Sequence, residues 1–314
     1  MPVYFILVFG LVMLVFGGDW LVRGAVGLAE KLAVPPIIVG LTIVALGTSA
    51  PELVISVDAA LVGSGGLAVG NVVGSNIANV LLVLGFPALL APIASPRDDV
   101  KITLLFLFGL TVMFMVMLWR GPIDWADGLI LLVCLCVFLS IQYNKARTAR
   151  NGDGIGYDDE VENVPTRGRI IAGLLVAGLV ALPLGANLTV DSAVEIAKRW
   201  SISEEVIGLT VIAIGTSLPE LATGIMAARN RSGAVAMGNV VGSNLFNIAA
   251  IMGVTATVAT VEAGSHIVSL DMWVMLAATL FLISIPVTGM TIGRKWGAVL
   301  TVSYLCYLTV TVIL

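Results

Sequence analysis

Charge is scarce in this chain. Of its 314 residues only 11% are Asp, Glu, Lys or Arg, whereas 59% are hydrophobic. Soluble domains carry roughly a quarter charged residues, so an ordinary water-facing surface is excluded. Histidine occurs once, at His266, and cysteine three times, at Cys134, Cys136 and Cys306. The cysteines lie within apolar runs and lack metal-ligand spacing, which reads them as small core residues. There is no His-Glu-x-x-His pair, and no histidine is placed to activate a serine, so hydrolase chemistry lacks its base. A formal charge of −4 gives no basic footprint for nucleic acid. The expectation is a protein that is not an enzyme and carries no cofactor.

What is present is apolar sequence, with a mean hydropathy of +1.06. It comes in runs of about 20 residues, the length of one helical crossing of a bilayer. Ten helices are expected: Val3–Leu28, Pro35–Leu61, Leu67–Ala91, Ile102–Leu118, Trp125–Tyr143, Ile170–Ala197, Glu205–Ala228, Val235–Val258, Met272–Thr288 and Trp296–Leu314. The N-terminal run has no basic region before it and reads as a retained first span rather than a signal peptide. With the N-terminus outside, thirteen of the sixteen Lys and Arg residues fall at cytoplasmic ends and loops; only Arg120, Lys198 and Arg199 do not. Positive residues favour the cytoplasm, so both termini are expected outside and the polar stretch Asn144–Gly168 inside.

The phrase "ALGTSAPE", ending at Glu52, returns as "AIGTSLPE", ending at Glu220, an offset of 168 residues. The same offset carries Asn71 to Asn239, Ser75 to Ser243 and Asn79 to Asn247 without a gap, through "GNVVGSNIAN" and "GNVVGSNLFN". Such self-similarity outranks other signals. The offset spans five helices, an odd number, so the second copy enters the membrane from the opposite face. The expected fold is an all-α polytopic membrane protein of ten transmembrane helices in two inverted repeats, 1–143 and 169–314, joined by a cytoplasmic linker, 144–168. Inverted repeats with broken helices are the architecture of secondary transporters, with the site near midplane. A duplicated scaffold with polar residues acting only as interhelical glue is the bland alternative; glue does not require paired glutamates beside prolines.

Pro51 and Pro219 lack an N–H and interrupt their helices, leaving the carbonyls of Gly47 and Gly215 without their usual donor. Irregular backbone at membrane depth is tolerated where it is buried in protein or lines a cavity. Thr48, Ser49 and Glu52 share one side of a helical turn, as do Thr216, Ser217 and Glu220. Ser75 with Asn79, and Ser243 with Asn247, are i, i+4 pairs one helix further on. Carboxylate, hydroxyl, amide and backbone oxygens together favour a hard cation such as Ca2+ or Na+ over zinc or copper. Two ionised glutamates close together repel strongly, and one Ca2+, two Na+ or two protons would neutralise them. Residue chemistry alone leaves Na+ and H+ both open as counter-ion.

These two phrases resemble the alpha-repeats of the Na+/Ca2+ exchanger branch of the Ca2+/cation antiporter superfamily, and the likeness extends over the whole ten-helix pattern. The resemblance implies a prokaryotic sodium/calcium antiporter of the plasma (inner) membrane. In it the second, third, seventh and eighth helices form a core across which the first and sixth slide. It implies Ca2+ held by Glu52 and Glu220 with backbone oxygens of Thr48 and Thr216. Na+ would use the same glutamates with Ser49, Ser75, Ser217 and Ser243 and the carbonyls of Ala45 and Ala213, with Asn79 and Asn247 closing the central site. Proton-coupled relatives carry a different phrase, so "GTSxPE" favours Na+ over an H+/Ca2+ antiporter. Potassium-dependent relatives, and some archaeal ones, have Asp where this chain has Asn247, which argues against K+ co-transport. A cation channel is a further alternative.

Three features carry bland readings. Asp58 lies six residues after Glu52, about −120° around the helix, and is expected near the outer end, apart from the cluster, with a mouth site attracting cations as the alternative. Asp19, beside Gly17 and Gly18, reads as a bend or packing feature, with a gating contact as the alternative. The stretch from Asn151 to Glu162 matches part of an EF-hand loop, but Ile155 occupies a ligand position. It reads as a solvated acidic linker, with Ca2+ sensing as the alternative.

Overall fold

The computed structural model describes residues 2–93, 100–151, 164–200 and 213–313. Arg97, the EF-hand-like stretch beyond Asn151 and the first part of the expected seventh helix lie outside the described residues. Most of the described residues are helical: α1 (Pro2–Leu32), α2 (Pro36–Thr48), α3 (Ala50–Leu61), α4 (Gly65–Leu90), α5 (Lys101–Arg120), α6 (Trp125–Asn151), α7 (Gly168–Arg199), α8 (Leu218–Arg229), α9 (Gly233–Val258), α10 (Ile267–Thr288) and α11 (Arg294–Ile313). Every expected window overlaps one of these. Seven of the described helices are long and apolar enough to cross a membrane, or eight if α2 and α3 form one span bent by 45°. The chain is an all-α polytopic membrane protein. Among the described residues the only β pairing is two single-residue bridges, Ile93 with Ile292 and Ile123 with Val261.

One boundary departs from expectation for a physical reason. Helix α6 does not stop at Tyr143 but runs on to Asn151, because Lys145, Ala146, Arg147, Ala149 and Arg150 are good helix formers and cations suit a helix C-terminus. Its start is fixed by a reciprocal cap. Asp124 Oδ1 accepts the N–H groups of Ala126 (2.9 Å) and Asp127 (3.2 Å), and Asp127 Oδ2 accepts the Asp124 N–H (3.3 Å). Asp127 also pairs with Arg120 across the turn. Replacing Asp124 by Ala should therefore lower stability by about 1 kcal/mol, read as a reduced melting temperature in detergent. An unchanged melting temperature would show the cap to be dispensable.

The two longest helices, α1 and α7, have 31 and 32 residues, about 47 Å at 1.5 Å per residue, well beyond the roughly 30 Å hydrocarbon core. They pack on each other along a seam of small residues. A Cβ on Gly10 would meet the Gly185 carbonyl at 2.9 Å, and one on Gly178 would meet the Gly17 carbonyl at 2.8 Å. The partner's number falls as the residue number rises, so the helices run antiparallel. Gly178 and Gly185 are the repeat counterparts of Gly10 and Gly17.

A second close crossing joins α2 to α9. A Cβ on Gly238 would lie 2.6 Å from the Ile37 carbonyl, and one on Gly242 would lie 2.6 Å from the Leu41 carbonyl. This is the small-xxx-small device by which membrane helices approach backbone to backbone. It brings the first "GTSxPE" phrase against the second "GNVVGSN" phrase.

Candidate cation-binding site

The site is built where two helices break and two others bulge. Ser49 separates α2 from α3 with φ −86°, ψ 5°, and Ser217 precedes α8 with φ −90°, ψ 6°. Both serines thus leave helical geometry in the same sparsely used region, with proline in the first turn of the helix that follows. One helix further on, α4 and α9 each carry a π-helical stretch, Asn79–Val83 and Asn247–Met252. Such bulges re-aim side chains and recur at functional sites. The two begin at residues related by the repeat.

Glu52 and Glu220 are each 1% exposed, and each lies in the first turn of the helix that follows its break. The Ser49 hydroxyl donates to Glu220 Oε1 at 3.2 Å, which ties the first phrase to the second. The Thr48 hydroxyl lies 3.3 Å from Asn239 Oδ1 and 3.4 Å from the Ala45 carbonyl, which also accepts the Ser49 N–H at 3.1 Å. Asn71 Nδ2 donates to the Glu52 carbonyl at 3.1 Å and to Ser56 Oγ at 2.8 Å. Asn247 Nδ2 donates to Asn76 Oδ1 at 3.1 Å.

Around these bonds the protein leaves buried polar atoms without partners. Oε2 of both glutamates, Oγ of Ser217 and Ser243, Oδ1 of Asn244 and Asn247, and both amide atoms of Asn79 are buried and make no hydrogen bond. Buried polar groups in native proteins are nearly all satisfied, and desolvated carboxylate oxygens left bare are costly. A set of mostly oxygen atoms from both phrases is the complement of a hard cation. Among the described residues no group of three His, Cys, Asp or Glu comes together, so a cation here relies on hydroxyl, amide and backbone oxygens beside the two carboxylates.

The expected residues fall on the two breaks and the two bulged helices. Thr48, Ser49 and Glu52 are buried at the first break, and Ser217 and Glu220 at the second, with Thr216 half-buried beside them. Ser75 and Asn79 stand one turn apart on α4, as do Ser243 and Asn247 on α9, all buried. Ala213 opens the short helical turn Ala213–Gly215 before the second break. Asp58 is exposed, apart from the cluster as expected. Asp19 pairs with Arg23 at 3.5 Å and accepts Asn230 Nδ2 at 3.0 Å, tying α1 to the end of α8. His266 pairs with Asp271 at 2.9 Å, and Tyr307 donates to the same carboxylate at 2.9 Å.

Four asparagines were not among the expected ligands: Asn71, Asn239, Asn76 and Asn244. Each lies inside the repeated "GNVVGSN" phrase, and recurrence at the constant offset was the available signal. An apolar recess of about 320 Å3, lined by Leu46, Gly47, Ser49, Leu53, Leu179 and Phe246, reaches the site at Ser49.

Fold and composition define the class: a polytopic helical membrane protein enclosing a carboxylate pair between two copies of one motif. The sodium/calcium exchanger protein family model matches residues 2–144 and 170–313. The chain belongs to that family. It is 33% identical, over a gapped alignment of 341 positions, to the sodium/calcium exchanger MaX1 of Methanosarcina acetivorans, covering 98% of this chain and 97% of MaX1. It is 35% identical over 307 residues to the inner membrane protein YrbG of Escherichia coli K12, covering 96% and 94% of the two chains. A solved structure of the sodium-calcium exchanger NCX_Mj, soaked with Na+ and Sr2+, matches with a TM-score of 0.85 at 30% identity over 98% of both chains.

Proposed function

We propose that this protein is a secondary antiporter that exchanges Na+ for Ca2+ by alternating access. The observation that carries the reading is the buried pair Glu52 and Glu220, each with a bare Oε2, among unpartnered oxygens from both phrases. Two carboxylates match one Ca2+ or two Na+ in charge, so the two ions compete for one place. Ca2+ uses Glu52 and Glu220 with the backbone oxygens of Thr48 and Thr216. Na+ uses those glutamates with Ser49, Ser75, Ser217 and Ser243 and the carbonyls of Ala45 and Ala213, while Asn79 and Asn247 close the centre.

Residues 1–143 and 169–314 act as two inverted five-helix repeats joined on the cytoplasmic side, both termini outside. The antiparallel seam of α1 and α7 supports the inversion, and the one-sided distribution of Lys and Arg supports the orientation. Likeness to YrbG, named an inner membrane protein, supports residence in a prokaryotic plasma membrane.

Proteoliposomes containing Na+ should take up Ca2+ only while an outward Na+ gradient exists. Uptake driven equally well by a pH gradient would reassign the protein to H+/Ca2+ exchange. Flux independent of any ion on the far side would make it a channel.

Asn247 offers a narrower test. Its amide donates to Asn76 Oδ1, and an ionised carboxylate has no proton to donate, so Asn247→Asp sets two oxygens against each other unless a proton or cation intervenes. The variant should shift apparent Ca2+ affinity by about tenfold, the worth of one buried hydrogen bond, and make transport sensitive to pH or K+. Identical kinetics across pH and K+ would remove Asn247 from the site.

A further inference from the structure

Asn76 is buried in α4, three residues before Asn79, and gathers bonds from two residues of the opposite repeat. Its side-chain oxygen accepts Asn247 Nδ2 at 3.1 Å, and its backbone carbonyl accepts Asn244 Nδ2 at 3.3 Å. Its own Nδ2 faces Met275 Sδ at 3.7 Å, a weak acceptor. We propose that Asn76 is a positioning residue that aims the Asn247 amide at the transported cation; the inference rests on the exchanger reading above.

The argument is geometric. A planar carboxamide has its oxygen and nitrogen on opposite sides, so fixing one fixes the other. With Asn247 Nδ2 engaged by Asn76, Asn247 Oδ1 is turned away from Asn76, and that oxygen is buried without a partner. A bare amide oxygen is a ligand for a hard cation, whereas an amide N–H repels one. Remove the acceptor at 76 and the Asn247 amide is free to rotate, presenting N–H in half its orientations. Asn244 Nδ2 holds the backbone carbonyl of Asn76 from α9, while the Asn76 side-chain amide is oriented by its own Nδ2 facing Met275 Sδ.

The repeat supplies an internal control. The offset of 168 residues exchanges Asn76 with Asn244 and Asn79 with Asn247. The counterpart of the Asn247–Asn76 bond is therefore a bond from Asn79 Nδ2 to Asn244 Oδ1. Both of those atoms are buried and unbonded. One of two equivalent positioning bonds is made and the other is open, so the same pair of residue types, equally buried, does not force the contact. The Asn76–Asn247 bond is a feature of the site's present geometry and not of packing alone.

The test is a double-variant cycle in purified, reconstituted protein, read by Ca2+ titration calorimetry and by the KM and maximal rate of Na+-driven Ca2+ uptake. Wild type and Glu52→Gln are measured alongside. Asn76→Ala should raise the KM for Ca2+ between about 10- and 100-fold, the range found for outer partners of metal ligands, with the maximal rate largely kept. Asn76→Ala/Asn247→Ala should be no worse than Asn247→Ala alone, because an absent amide needs no aiming. Asn76→Leu, close to asparagine in shape but without an acceptor, should match Asn76→Ala and serves if the alanine variant does not fold. Independent, multiplicative losses in the double variant, or wild-type KM in both single variants at Asn76, would overturn the positioning role. Wild type that neither binds nor transports Ca2+ would instead overturn the exchanger reading beneath it.

Discussion

Replacing either Glu52 or Glu220 by Gln should abolish measurable Ca2+ uptake while leaving a folded protein. Glutamine keeps the size of the side chain and a carbonyl oxygen, so the packing around 52 and 220 is undisturbed. What it removes is one of two negative charges in a place sealed from water, where both residues are 1% exposed. A Ca2+ ion then leaves one positive charge unbalanced, and an unpaired charge in such a medium is strongly disfavoured. Outer partners of metal ligands are already worth roughly 10- to 100-fold in affinity, so a direct carboxylate ligand should be worth more than about a hundredfold. Na+ discriminates between this account and simple damage. One remaining carboxylate still balances one Na+, so stabilisation by Na+ should persist in part where stabilisation by Ca2+ is lost. Melting curves of each variant with either ion measure this directly. Normal Ca2+ transport by both variants would remove the glutamates from the site.

The second large effect concerns the crossing of α2 and α9. Gly238→Val places a Cβ 2.6 Å from the Ile37 carbonyl, 3.0 Å from the Leu41 nitrogen and 3.1 Å from the Gly40 Cα. All three are backbone atoms, so no rotamer change relieves the clash and one helix must move. Overpacking of this kind costs about 1–3 kcal/mol or more. The displacement also has a direction that matters for chemistry. Helix α9 carries Ser243 and Asn247, and α2 leads to Thr48, Ser49 and Glu52, so separating them opens the site along its seam. A shift near 1 Å in positioned groups can cost about a hundredfold in rate. Gly238→Val should therefore both melt at a lower temperature and lose most Ca2+ uptake. Gly109→Val, at an exposed glycine with nothing within 4 Å of its Cβ position, should do neither. Wild-type uptake by Gly238→Val would show that the crossing does not set the site's geometry.

Much of this was legible from the repeated phrase. A constant offset pairs the glutamates, serines and asparagines in the sequence itself, and helical phase alone sets Asp58 apart from Glu52. The breaks at Ser49 and Ser217 followed from Pro51 and Pro219. Other features were hidden for physical reasons. A carboxamide in an apolar helix reads the same whether it meets a cation or another amide, so the part played by Asn76 needed the position of Asn247. The π-helical turns at Asn79 and Asn247 have no composition of their own; they express a packing constraint rather than a propensity. Asp19 finds its partner Asn230 on a different helix, and neither residue's neighbours in sequence announce the other. The overrun of α6 past Tyr143 was visible in its Ala, Lys and Arg residues, but hydropathy windows end where charge begins.

The central claim is that Glu52 and Glu220, one from each copy of the phrase, form a single place used by both ions. Diffraction from crystals soaked in Ca2+ or Sr2+, with Na+ raised in steps, tests it most directly. The expected result is one strong anomalous peak between the two carboxylates, at about 2.3–2.6 Å from their oxygens, fading as Na+ rises. A peak remote from both glutamates, or one between them that Na+ leaves undiminished, would contradict it.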